Sequence, residues 1–194
     1  MSKSTLDVLA RKYNTDKKIP DGKPTVFGSP GLGYSKYYYK ELKSRKIKSM
    51  IEIGVAFGSS IKMWDEFFNN KCKIIGIDKF ENSFKRSELE NNNVRILIGD
   101  QGDRNFLEQN LSENRYDLVI DDGSHKYNDQ MASFLQIFPY VSYGGLYVVE
   151  DLHISTPFAR LLKNYHEFQP SITSMIKNIR FYEDKIAFIE KVSY

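Results

Sequence analysis

The sequence has a single cysteine, Cys72. An internal disulfide is therefore excluded, as is a cysteine-based zinc cluster, and any metal must be held by oxygen or imidazole ligands. No apolar run approaches the roughly 20 residues that cross a bilayer, and the polar start Met1–Thr5 does not read as a secretion signal. The expectation is a soluble, cytoplasmic protein with no membrane partner. Net charge is also scarce: 28 basic against 25 acidic residues leave +3. The lysines are spread along the chain except for a modest cluster over Lys40–Lys48, which reads as a solvated helix end, with a phosphate contact as the competing reading. Nucleic acid is not favoured as a partner. Internal repeats and low-complexity segments are absent, and 194 residues suit one domain with a sizeable core.

What is present is an alternation. Short apolar runs ending in Gly or Asp, at Met50–Val55, Lys73–Asp78, Val94–Gly99, Tyr116–Asp121 and Gly145–Glu150, are separated by segments of helical periodicity. That pattern predicts an α/β fold: a mostly parallel sheet with helices on both faces. Ile61, Trp64, Phe67 and Phe68, and later Met131, Phe134, Leu135 and Phe138, recur at helical spacing and are expected in the core. Ile179–Tyr182 and Ile186–Glu190 flank Glu183-Asp184 as an antiparallel hairpin. A seven-stranded sheet closed by such a hairpin is the Rossmann-like, class I methyltransferase arrangement; a dinucleotide-binding domain continues instead with a further parallel strand. Residues 1–46, with Gly/Pro-rich Pro20–Gly33 between two helices, are expected to form a cap or lid on a core at 47–194.

Glu52-Ile53-Gly54-Val55-Ala56-Phe57-Gly58-Ser59-Ser60 joins the first strand to a helix. Gly54 and Gly58 let the backbone turn sharply beside a ligand, and the helix start offers free N–H groups. Spacing of this kind also serves nucleotides or tight packing alone. Asp78 ends the second strand where a carboxylate reaches ribose hydroxyls. Asp100, followed by Gln101, ends the third strand where it can accept from an adenine amino group. Each acid taken singly is also a credible helix cap. The turn lacks Gly-x-Gly-x-x-Gly, and a crowd of carboxylates suits a sulfonium cation better than a pyrophosphate. Glu52, Gly54, Gly58, Ser59, Asp78, Asp100, Gln101 and Asp121 are the expected donor-side residues, and S-adenosylmethionine is the expected donor.

The fourth strand ends in Asp121-Asp122-Gly123-Ser124-His125 and the fifth in Glu150-Asp151. Neighbouring strands lie about 4.8 Å apart, so Asp122, Glu150 and Asp151 should converge at the ligand edge. Carboxylates gathered so closely need protons or a cation, and an all-oxygen set suggests Mg²⁺; caps or salt bridges are the competing explanation. A metal there would lower the pKa of an acceptor hydroxyl, and His125 is placed to take its proton. His153 is a weaker candidate for that role.

These blocks resemble the metal-dependent sugar O-methyltransferases of macrolide biosynthesis, the mycinamicin and macrocin type. The resemblance runs from Leu9-Ala10-Arg11-Lys12-Tyr13-Asn14-Thr15-Asp16-Lys17 through Ile51–Ser60, Met63-Trp64 and Gly99-Asp100-Gln101 to Ile120–His125 and Gly144–Asp151. It implies Asp122, Glu150 and Asp151 as Mg²⁺ ligands, His125 as general base and a sugar-containing small molecule as acceptor; relatives are commonly oligomers. The family commonly has a histidine shortly before the tyrosine that aligns with Tyr34, whereas Gly33 precedes it here. Competing functions are methylation of a catechol or other phenol, a nicotinamide-dependent oxidoreductase, and a binding module without catalysis.

Overall fold

The computed structural model describes residues 5–81, 85–112 and 114–193; the first four residues of the expected cap lie outside them. In chain order the elements are α1 (Thr5–Lys12), α2 (Ser35–Leu42), β1 (Ser49–Ile53), α3 (Ser59–Phe67), β2 (Lys73–Asp78), α4 (Arg86–Leu89), β3 (Val94–Ile98), α5 (Arg104–Leu111), β4 (Tyr116–Asp121), α6 (Tyr127–Ile137), β5 (Val141–Val149), α7 (Thr156–Lys163), α8 (Pro170–Thr173), β6 (Ile176–Tyr182) and β7 (Ile186–Lys191). The strands form one sheet in the order β3-β2-β1-β4-β5-β7-β6. Pairs among β1 to β5 are parallel, while β7 runs antiparallel to both β5 and β6. The expected seven-stranded class I fold is thus observed.

The strands form where β-branched and aromatic side chains alternate, and the period of two sorts them onto two buried faces. Met50, Ile74, Leu118, Ile120, Val148 and Phe188 point to one face, where Leu6, Leu9, Tyr34, Tyr38 and Trp64 cover them. Ile51, Ile53, Ile77, Val119, Tyr147 and Val149 point to the other, under Phe134, Phe138, Phe158 and Phe168. Trp64 and Phe134, expected in the core, are both fully buried. Residues of the N-terminal segment thus belong to the first hydrophobic face itself.

Two strand starts differ from expectation by three or four residues, and other strand ends shift by one or two. β5 starts at Val141 rather than Gly145, because a register irregularity opposite Tyr116–Leu118 lets it continue through Gly144. β6 starts at Ile176 rather than Ile179, again across a bulge. The hairpin turn is where the sequence places it, with Glu183 and Asp184 both at positive φ and Lys185 N–H donating to the Tyr182 carbonyl.

The order reverses between β1 and β4, and ligands of open α/β sheets bind outside the carboxyl ends of the strands at that point. Among described residues no helix is long and apolar enough to cross a membrane. Phe134 packs against the rings of Phe138, Tyr147, Phe158 and Phe168, with centroids 4.9 to 6.0 Å away. Phe134→Ala is expected to lower stability by about 3–5 kcal/mol, seen as a drop in the urea unfolding midpoint.

Candidate active site

A cleft of about 480 Å³ opens at the switch point, lined by the ends of β1 to β5 and by Thr15, Asp16 and Phe27 of the α1–α2 connection. Gly54, Ser59, Asp78, Asp100 and Gln101 line it, as do Asp122, His125 and Asp151. The turn after β1 needs its glycine. Gly54 has φ +94°, and a Cβ there would lie 2.0 Å from the carbonyl oxygen of Asp122. That close approach brings the ends of β1 and β4 together. Asp78 Oδ2 accepts from the N–H groups of Val55 and Ala56, both at 2.9 Å, so this acid shapes the turn besides facing the cleft. Asp100 accepts from Lys79 at 2.6 Å and from Gly102 N–H at 2.9 Å. The Lys79 ammonium and that N–H hold its carboxyl below the usual range. Gln101 ties the framework: its Oε1 accepts from Ser124 N–H at 2.7 Å and its Nε2 donates to Asp121 at 3.1 Å.

Glu52, Gly58 and Asp121, expected on the donor side, do not line the cleft. The period-2 alternation explains two of them. Asp121 shares its face with Val119 and is fully buried, accepting from Ser133, Gln101 and Tyr147. Burial raises its pKa while those donors pull the other way. Glu52 shares the opposite face with Met50 and accepts from Ser60 at 2.9 Å and from the Trp64 indole at 3.1 Å. Gly58 sits at the start of α3 with φ +74°, its Cα close to Leu89.

The acids at the ends of β4 and β5 divide in the same way. Asp122, His125 and Asp151 each offer a ligand atom within 4.8 Å of the others, on the cleft side. His125 Nε2 is 3.6 Å from Asp151 Oδ2. Glu150 is fully buried behind them, its two oxygens taken by the Tyr38 hydroxyl and by Lys17 Nζ at 3.1 Å. Lys17 is the residue the sequence reading did not single out, although it lies in the first block of the resemblance. It is fully buried, and its ammonium also stands 2.6 Å from Asp122 and 3.7 Å from Glu52. Burial alone would strip its proton, but Asp122, Glu150, Asp16 and Glu52 outweigh this and hold its pKa well above the ordinary value. Burial pushes the carboxyls of Asp122, Glu150 and Glu52 upward against the pull of Lys17. One ammonium thus serves three acids, of which Glu52 and Glu150 are fully buried and Asp122 reaches the cleft.

Tyr34 and Tyr38 were also not singled out for the site. Tyr34 donates to Asp151 at 2.6 Å, and Tyr38 to Glu150. Burial, then the neighbouring acid, pushes both phenols far up, so each keeps its proton and donates it to the carboxylate. Their spacing of four residues, one helical turn at the start of α2, was the available signal. Ala56, His125 and Asp151 adopt positive φ of 47°, 55° and 53°. Non-glycine residues held in this region mark positions that the surroundings over-determine, and here all three line the cleft.

A glycine turn, strand-end acids and a switch-point cleft on this sheet order are those of the class I methyltransferase fold. The chain belongs to the methyltransferase domain family, whose profile matches residues 51–152. It is 33% identical to the demethylmacrocin O-methyltransferase of Streptomyces fradiae over 123 residues, which cover 59% of this chain and 30% of that one. The mycinamicin VI 2''-O-methyltransferase of Micromonospora griseorubida gives 33% over 123 residues, with 59% and 29% covered. The MycE methyltransferase of the mycinamycin pathway, solved in complex with Mg, SAH and mycinamycin VI, superposes with TM-score 0.77 at 26% identity, covering 99% of this chain and 54% of that one. The chain therefore spans about 30% of the length of these curated relatives and 54% of the MycE chain. The macrolide resemblance read from the sequence is borne out, and the oxidoreductase reading gives way to it.

Gly54→Ala and Gly144→Ala separate strain from collision. At Gly144, φ is +72° and the nearest neighbour of a Cβ would be Ser193 at 3.9 Å, so only the left-handed backbone opposes a side chain. Denaturant unfolding should show a loss of about 1–2 kcal/mol for Gly144→Ala and a clearly larger loss for Gly54→Ala.

Proposed function

We propose that the chain is an S-adenosylmethionine-dependent, Mg²⁺-assisted O-methyltransferase whose acceptor is a hydroxyl of a sugar-containing small molecule. The observation that carries this reading is the convergence of Asp122, His125 and Asp151 within 4.8 Å on the cleft side of the acid cluster. Oxygen ligands with one imidazole beside them fit a hard divalent ion. The relatives' sugar substrates and the Mg and SAH of the MycE structure support the same chemistry.

In this reading Gly54, Ser59, Asp78, Asp100 and Gln101 hold the donor along the ends of β1 to β3, with Asp78 toward the ribose and Asp100 toward the adenine. Glu52, Gly58 and Asp121 keep that frame in shape. Asp122 and Asp151 would hold the metal from the cleft side, and Glu150 joins them once its bond to Lys17 is released. The metal, when bound, supplies Lewis acidity that makes an acceptor hydroxyl easier to deprotonate. His125 receives that proton, its ring Nε2 lying 3.6 Å from Asp151 Oδ2. Tyr34 fixes the Asp151 carboxylate from behind. The segment 5–46 serves as the lid. Its Phe27 meets Phe57 edge-on at 5.3 Å, and both rings remain about half exposed as an apolar rim.

The test is transfer of a labelled methyl group to a panel of sugar-bearing acceptors and catechols, with and without chelator. Sugar methylation that chelator abolishes and Mg²⁺ restores is the expected result. Transfer to catechols alone would overturn the acceptor assignment, and full activity in metal-free buffer would overturn the metal. His125→Ala is expected to slow turnover by about 10²–10⁴-fold while leaving binding of S-adenosylhomocysteine, measured by calorimetry, unchanged.

A further inference from the structure

Lys17 is buried at the junction of the two halves of the acid cluster, and its position has a consequence for the metal. Its backbone is anchored: the Lys17 carbonyl accepts from Ser35 N–H at 2.8 Å, while Asp16 and Lys18 carbonyls accept from Leu32 at 2.6 Å and Gly33 at 2.9 Å. From this root the side chain delivers its ammonium to Asp122 at 2.6 Å, Glu150 at 3.1 Å and Glu52 at 3.7 Å. Two of its three N–H donors are taken by Asp122 and Glu150, and Glu52 stands near as a further counter-charge.

Asp122 belongs both to this ion pair and to the group of ligand atoms facing the cleft. A divalent ion sits about 2.1 Å from a carboxylate oxygen. Lys17 and such an ion on the same carboxylate would then lie within about 5 Å of each other, a strong repulsion in a dry interior. Glu150 gives the same result, since the oxygen it could turn toward the cleft is the one Lys17 holds, Tyr38 having the other.

Resting on the metal site proposed above, we infer that Lys17 is a positioning residue that acts as an internal stand-in for the metal. Its ammonium keeps Asp122 and Glu150 aligned and compensated before the ion arrives, and gives up its hold on them when the ion binds. The chain can then fold with its ligands in place in the absence of metal, at the expense of metal affinity, because every binding event must displace a cation already present.

The sign of the effect distinguishes this from a merely structural lysine. Mn²⁺ binding to the wild-type chain and to Lys17→Met, followed by electron paramagnetic resonance, should show at least tenfold tighter binding by Lys17→Met. Without metal that variant should melt below wild type, and Mg²⁺ should raise its melting temperature by more. Equal or weaker Mn²⁺ binding by Lys17→Met would overturn the inference while leaving the metal site intact. Absence of binding by both chains would remove the site itself, and this role with it. Should Lys17→Met not fold, lysine ¹⁵N spectra of the wild-type chain decide the matter. A protected side-chain ammonium signal that shifts or becomes exchangeable on Mg²⁺ addition supports displacement, and one that stays unmoved while Mg²⁺ binds refutes it.

Discussion

The structure is organised around a concentration of negative charge that the protein interior cannot tolerate uncompensated. Glu52, Asp122, Glu150 and Asp151 come from the ends of β1, β4 and β5, three adjacent strands, and Glu52 and Glu150 are fully buried. Removing a carboxylate from water costs several kcal/mol unless hydrogen bonds and opposite charge replace the lost solvation. The replacements here are Lys17, Tyr34, Tyr38, Ser60 and Trp64. Three of these five belong to the segment before β1. That segment is therefore required electrostatically: without its ammonium and phenols the strand ends would carry bare buried charge.

The same alternation that builds two hydrophobic faces distributes the acids. Glu52 and Glu150 fall in register with Met50 and Val148, on the face covered by α1, α2 and α3, and so meet Lys17 and Tyr38. Asp121 falls with Val119 on the α6 face and meets Ser133, Gln101 and Tyr147. Asp122 lies one residue past the last paired residue of β4 and Asp151 two past that of β5, where the chain has left the sheet, and both line the cleft instead. In each strand-end pair of acids the first member is inward and the second is at the ligand edge, although Asp121 and Glu150 are buried on opposite faces of the sheet.

This is why the fold was legible in the sequence and the site only partly so. The five parallel strands could be placed because each ends in Gly or an acid, and β2 and β4 agree with expectation residue for residue. Convergence of Asp122 and Asp151 follows from strand adjacency, whereas Glu150, expected beside them, is turned inward. Which member of Asp121-Asp122 or Glu150-Asp151 faces inward was also encoded, in the parity of each residue relative to its apolar neighbours. Lys17 was not recoverable in this way. Its partners lie 105 and 133 residues away, and its side chain reaches them only because residues 16–18 pair with residues 32–35 in an irregular connection. Periodicity carries no information about such a path, and a lysine in a polar stretch looks solvated until the loop is closed.

The backbone shows the cost of assembling the site. Ala56, His125 and Asp151 hold left-handed conformations that disfavour an L-residue by roughly 1–2 kcal/mol each. All three lie within four residues of the ends of strands whose side chains are buried on both faces, so the sheet can impose a sharp exit that an exposed loop would relax. The strained exits turn His125 toward Asp151 and carry both beyond the sheet edge, where solvent and ligands enter. A cation bound there would contact side chains already held by Tyr34 and Lys17, so little ordering entropy would remain to be lost on binding. The rigid strands, the strained exits and the buried hydrogen bonds thus serve one end, a set of charged groups kept close together before any ligand is present.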